Sequence, residues 1–234
     1  MPITATPDHV AVAVPSIERA GTRWHDQFGG AWCSPKHADG PDFATQQLWY
    51  RGGARLELLE PTDAEGFAAG FLARFGARVH HVTLKVPDLF DAIATIEAAG
   101  YDVVDVDTSI DVWHEAFLRP SQVGGMIVQV AHSTLTTEQW AAYLGFDPEP
   151  PPTAGPRLLG PTLFHPDLEA CARVWETLGG QVDKDAEVVR VGWDTGELTV
   201  EVHSGDPADP VLRFEGVPAA PADPELGPAT VAVG

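Results

Sequence analysis

The chain has 234 residues, 14 Lys and Arg against 34 Asp and Glu, a formal charge of −20, and 44% hydrophobic residues. That length and apolar share suit one large domain or two modest ones with a real core. The charge argues against a nucleic-acid partner, whose affinity rests on Lys and Arg displacing counterions, and against an anionic membrane surface. No apolar run approaches the roughly 20 residues of a spanning helix, and the N-terminus lacks a basic segment leading into a hydrophobic one, so a cytoplasmic location is expected. Cys33 and Cys171 fall in different segments and read as buried free thiols.

The first predicted strand runs from His9 to Val14 with alternating apolar positions, and Pro15-Ser16 announces a helix carrying Ile17, Ala20, Trp24 and Phe28. Gly29 and Gly30 end it. A strand is predicted over 43–50, and Arg51-Gly52-Gly53-Ala54 suits a tight hairpin into a strand from Arg55 to Glu60. The same order then repeats: strand Val79–Val86, helix Leu89–Ala98 closed by Gly100, a strand near Asp102–Asp105, then strands Glu115–Leu118 and Met126–Ala131. A short helical stretch around Glu138–Leu144 leads into DPEPPPTAGP, residues 147–156, which reads as a linker. A weaker third copy follows, with strand Leu158–Phe164, a helix carrying Leu168, Ala172, Trp175 and Leu178, and strands Glu187–Val191 and Leu198–Val202. The tail from Val217 adds one short strand.

The expected fold is therefore α+β, with paired βαβββ modules and a third, degenerate βαβββ-like module. The expected division is a two-module metal-binding domain over 1–146, a linker over 147–156, and a structural or dimerising module over 157–234.

Residues 8–20, DHVAVAVPSIERA, and 80–92, HHVTLKVPDLFDA, align at a constant offset of 72, which maps His9 onto His81, Pro15 onto Pro87, and Glu57 onto Gln129. Each module thus opens with an imidazole and closes with an oxygen donor. Because side chains alternate across a strand, the valines Val10, Val12 and Val14 take the face under the helix and leave His9 on the other. His81 shares its face with Thr83 and Lys85, and His80 is turned toward the helix. Two imidazoles, one carboxylate and one amide oxygen suit Fe, Mn, Co, Ni or Zn rather than Ca or Mg, so a divalent transition metal is expected on His9, Glu57, His81 and Gln129. In the third copy Pro166 answers Pro15 at an offset of 151, which puts Gly160 where the ligand should be. His25, His37, His132, His165 and His203 are read as exposed or structural, and the acidic runs as solvated faces.

With these residues in view, DHVAVAVPSIERA, RLELLEPT, VHHVTLKVPDL and AFLRPSQVGGMIVQV resemble the vicinal oxygen chelate superfamily (glyoxalase, bleomycin resistance, dioxygenase) over residues 7–133, nearest its epimerase and glyoxalase I branch. The resemblance implies paired modules in a cupped mixed sheet around a divalent metal, with His9, Glu57, His81 and Gln129 as ligands and an enolate-like anion stabilised in the reaction. The chain departs from that family where Gln129 stands in place of a glutamate that usually doubles as the base.

Two hairpin registers then nominate further residues. Pairing Leu118 with Met126 places Glu115 opposite Gln129, where desolvation would suit it to acid-base work, with Phe117 as a substrate contact. Pairing Leu48 with Glu57 places Gln46 and Tyr50 on the substrate side and turns Gln47 and Trp49 away. The expected activity is that of a metal-dependent isomerase or lyase of glyoxalase or epimerase type, with Glu57 or Glu115 abstracting a proton next to a metal-bound carbonyl of a small molecule. A non-haem Fe(II) dioxygenase and a non-catalytic small-molecule binder are the alternatives. Only 14 basic residues are available to face the phosphates of a CoA thioester, whereas seven tryptophans could line a pocket for a neutral or aromatic substrate. A homodimer formed through the third module is the expected protein partner.

Overall fold

In the computed structural model, residues 1–234 are described, apart from the side chains of Thr137 and Glu138. The first module comprises β1 (Thr6–Ala13), α1 (Ile17–Gly21) running on as a π-helical stretch (Thr22–Gln27), β2 (Ala31–Trp32), β3 (His37–Ala38), β4 (Phe43–Trp49) and β5 (Arg55–Pro61). After α2 (Phe67–Phe75), the second comprises β6 (Arg78–Lys85), α3 (Leu89–Ala98), β7 (Val104–Ile110), β8 (Trp113–Leu118), α4 (Pro120–Val123) and β9 (Ile127–Ser133). Beyond α5 (Thr137–Tyr143), the third comprises β10 (Arg157–His165), α6 (Leu168–Thr177), β11 (Gln181–Lys184), β12 (Val188–Gly192) and β13 (Val200–Ser204), and then come β14 (Val211–Glu215) and β15 (Thr230–Val233). The strands form two mixed sheets, and the mixed α/β class expected from the repeat is the class observed.

Each module helix starts by the same chemistry. A proline ends the strand, and the next residue caps the helix: Ser16 Oγ accepts from Arg19 N–H, Asp88 from Asp91 N–H, and Asp167 from Ala170 N–H. A short acceptor there satisfies an otherwise unpaired N–H, worth about 1 kcal/mol per cap.

Packing divides the chain into two compact units, each discontinuous in sequence. One is Met1–His9, His81–Leu135 and Pro161–Pro210; the other is Val10–His80, Thr136–Gly160 and Val211–Gly234. In the first, β6 runs parallel to β9, which pairs antiparallel with β8 and that with β7. There too β10 runs parallel to β13, followed antiparallel by β12 and β11. In the second, β1 runs parallel to β5, which pairs antiparallel with β4. Its core is aromatic: Tyr50 and Phe28 meet Phe214 edge-on with ring centres 5.1 and 5.3 Å away, beside the fully buried Trp24.

Several elements were not predicted: β2, β3, α2, α4, β11 and β14. The strand placed near Asp102–Asp105 begins at Val104. Neither cysteine forms a disulfide and both are buried; burial pushes the Cys171 thiol up to about 11, which keeps it unreactive. No helix among the described residues is long and apolar enough to cross a membrane.

Candidate metal centre

Each module brings its ligand positions together through one pair of parallel strands. In the first, Ala11 lies beside Glu57, and His9 stands two residues earlier on the same face of β1. In the second, Thr83 lies beside Gln129, and His81 stands two residues before Thr83. His9, Glu57 and His81 each offer a ligand atom, and these atoms all lie within 4.8 Å of one another. Ligands bound at about 2.0–2.2 Å stand at most about 4.4 Å apart, so the three need only a small contraction to share an ion. His9 is 2%, Glu57 5%, His81 5% and Gln129 7% exposed, which removes water as the partner of these polar groups. Gln129 joins them through Thr83, whose hydroxyl donates to Gln129 Oε1 and lies 2.9 Å from His9 Nε2. The donor set is one that a divalent transition metal fits.

Supporting side chains hold these donors. Gln47 Nε2 donates to Glu57 Oε2 at 2.9 Å, and Arg55 donates to Gln47 Oε1 at 3.3 Å, fixing which end of the amide faces the carboxylate. Gln129 Nε2 donates to Glu115 Oε2 at 2.6 Å, and Trp113 Nε1 donates to the same oxygen at 2.6 Å. Asp8 Oδ2 lies 2.8 Å from His9 Nδ1, and Asp8 Oδ1 lies 3.2 Å from Lys85 Nζ. His80 is turned away as expected, its ring edge-on to Phe71 and Phe67, and burial pushes its imidazole down to about 4.

Hairpin register decides which nominated residues share this face. Gln47 lies opposite Glu57 and Leu48 opposite Leu56, one residue away from the expected pairing. The connection spans Tyr50–Ala54, with Gly52 and Gly53 at φ of 94° and 99°, and closes through Tyr50 N–H on Ala54 O. A one-residue shift exchanges faces, so Gln46 and Tyr50 leave the substrate side and Gln47 and Trp49 take it. Tyr50 is a core residue, its hydroxyl donating to Trp24 O, and Gln46 Nε2 donates to Ser34 O. On the second hairpin Phe117 lies opposite Gln129 and Glu115 opposite Ala131, two residues from expectation, because α4 lengthens the turn. A two-residue shift preserves faces, so Glu115 and Phe117 stay with Gln129, and the bond to Glu115 runs diagonally. Asp8, Gln47, Thr83, Lys85 and Trp113 were not nominated; of these, the adjacency of Asp8 to His9 and the strand face that Thr83 and Lys85 share with His81 were the signals along the sequence.

Residues 8–117 match the Glyoxalase/Bleomycin resistance protein/Dioxygenase superfamily. Among curated proteins, the chain is 28% identical over 127 residues to the mitochondrial methylmalonyl-CoA epimerase of Bos taurus, covering 53% of this chain and 71% of that one. It is also 28% identical over 128 residues to an ethylmalonyl-CoA/methylmalonyl-CoA epimerase of Cereibacter sphaeroides, covering 53% of this chain and 94% of the relative. Relatives named as enzymes of this superfamily place the chain in an enzyme class. Among solved structures, a Mycobacterium tuberculosis methylmalonyl-CoA epimerase superimposes with a TM-score of 0.50 at 22% identity, over 55% of this chain and 88% of the other. A variant of Streptomyces coelicolor 4-hydroxymandelate synthase does so with a TM-score of 0.63 at 13% identity, over 92% of this chain and 71% of the other. Both of these likenesses show the fold alone.

Proposed function

We propose that the first two modules form a metal-dependent isomerase of the epimerase kind, which moves a proton at the carbon next to a carbonyl of a small molecule. The observation that carries this reading is the presence of two carboxylates in different surroundings. Glu57 is gathered with His9 and His81, whereas Glu115 is held apart by Trp113 and Gln129. One serves as ligand, which leaves the other for the proton.

His9, His81 and Glu57 would hold a divalent transition metal, with Gln129 Oε1 as a fourth donor. Bound there, the ion supplies Lewis acidity that polarises the substrate carbonyl and acidifies the neighbouring C–H. Glu115 takes up the proton, its carboxylate oriented by the N–H bonds from Trp113 and Gln129 to Oε2. Those bonds fix the carboxyl plane relative to Gln129. Phe117, opposite Gln129, and the indole of Trp113 supply apolar walls that seat the substrate and keep water from the carbon that loses its proton.

The relatives' acyl-CoA ester is the first substrate to assay, although a chain of charge −20 is better matched to a small carbonyl compound without several phosphates. Residues 1–146 carry this site, 147–156 link, and 157–234 serve structure or homodimerisation.

Incubation with methylmalonyl-CoA, and with a panel of small carbonyl compounds, in deuterated water tests the reading. Deuterium entering next to the carbonyl, dependent on Co(II), Mn(II) or Zn(II) and lost in Glu115→Gln, is the expected result. Exchange that persists undiminished in Glu115→Gln would remove that residue as the base. A second reading rests on the donor set itself, since two imidazoles and one carboxylate are also the set of non-haem Fe(II) oxygenases. Substrate-dependent oxygen uptake with Fe(II), without deuterium exchange, would favour it.

A further inference from the structure

We propose that Asp8, backed by Lys85, is a positioning residue that makes His9 an Nε2 ligand; the proposal rests on the metal reading above. The Asp8 side chain is 7% exposed and its carboxylate can only accept hydrogen bonds, so its contact with His9 Nδ1 at 2.8 Å assigns an N–H to Nδ1. Nε2 is then the nitrogen for the ion. It is also the nitrogen that points to where the donors converge, since Thr83 Oγ1 meets both His9 Nε2 and Gln129 Oε1. The other oxygen of Asp8 lies 3.2 Å from Lys85 Nζ, so the carboxylate is gripped at both ends and cannot swing away. Lys85 in turn stands 5.4 Å from the centre of the Trp113 ring, and Trp113 is the donor to Glu115.

These contacts close a ring. From His9 it passes through Asp8, Lys85 and Trp113 to Glu115, and returns through Gln129 and Thr83. A ligand and the base are thereby set by one polar network, and Asp8 is the member that touches the ligand from behind. The device belongs to the first module. At the offset of 72 the place of Asp8 is taken by His80, which packs its ring among Phe67 and Phe71.

Calorimetric titration of the full chain with Co(II) and Zn(II), together with the Co(II) absorption spectrum, tests the proposal. Asp8→Ala should weaken binding about 10- to 100-fold and shift the Co(II) bands, and Asp8→Asn, whose amide oxygen still accepts from Nδ1–H, should recover part of the loss. Lys85→Met should weaken binding by less than about 10-fold. The thermal midpoint before metal is added reports folding separately, and Asp8→Asn carries the test if Asp8→Ala fails to fold. Binding by a folded Asp8 variant within about threefold of the wild type, with an unchanged spectrum, would overturn the role of Asp8 and leave the metal site standing. A wild-type chain that binds neither ion would overturn the metal reading and this inference with it.

Discussion

The second and third modules rest on equivalent pairs of parallel strands and have different chemistry. In the second, Thr83 lies beside Gln129; in the third, Thr162 lies beside Glu201. Two residues before the threonine stand His81 in one and Gly160 in the other. The third module therefore keeps a carboxylate at the place of Glu57 and Gln129, and even keeps a polar residue opposite it, Arg190, as Gln47 stands opposite Glu57. It has lost the imidazole. The reason is visible in the backbone, because Gly160 takes a φ of +119°, a conformation open to glycine and rarely to residues with a side chain. Glu201 instead shares its face with His203 on the same strand, its Oε2 lying 3.1 Å from His203 Nε2. The comparison teaches that the third module keeps the oxygen donor without the imidazole, which ties the proposed centre to the paired histidines.

Five substitutions break or sharpen that contrast. The largest effect is expected for His81→Ala, which should lose metal and turnover by well over the roughly 100-fold that a supporting residue costs, while His203→Ala changes neither. Elemental analysis alongside the deuterium-exchange assay reads both. Next, Glu115→Gln should keep its metal and slow exchange about 10²- to 10⁴-fold, the range for losing a general base. Gly160→Ala should lower stability by about 1–3 kcal/mol through backbone strain, read as a drop in the denaturation midpoint, without altering metal content. The smallest effect belongs to Glu201→Gln, a partly exposed group, with stability within about 0.5 kcal/mol of the wild type and metal binding unchanged. A loss of metal in Glu201→Gln would show that the third module takes part after all.

Much of the fold was legible because duplication is a pattern along the chain. The prolines and the capping residues that follow them recur in all three modules, and strand alternation placed His9 and His81 on one kind of face. The third module shows where counting stops. The offset of 151 located Gly160 correctly, but Glu57 plus 151 falls on Ala208, whereas strand pairing identifies Glu201. Loop lengths differ between copies, and only hydrogen bonding fixes the register. The same cause misplaced Gln46 and Tyr50, since the paired glycines 52 and 53 shift the first hairpin by one residue. Glu115 and Phe117 survived an error of two residues because two is the period of a strand. The links from Asp8 to Lys85 and from Trp113 to Glu115 depend on how strands adjoin and side chains turn. The short strand Gln181–Lys184 carries too little apolar alternation to announce itself.

The most direct measurement is the transition-metal content of the purified full chain after loading and removal of excess ion, beside that of His81→Ala and Glu201→Gln. One ion per chain in the wild type, one in Glu201→Gln and none in His81→Ala is the expected outcome. A wild-type chain that retains no ion, or a His81→Ala chain that retains a full complement, would contradict the assignment of the centre to the paired histidines.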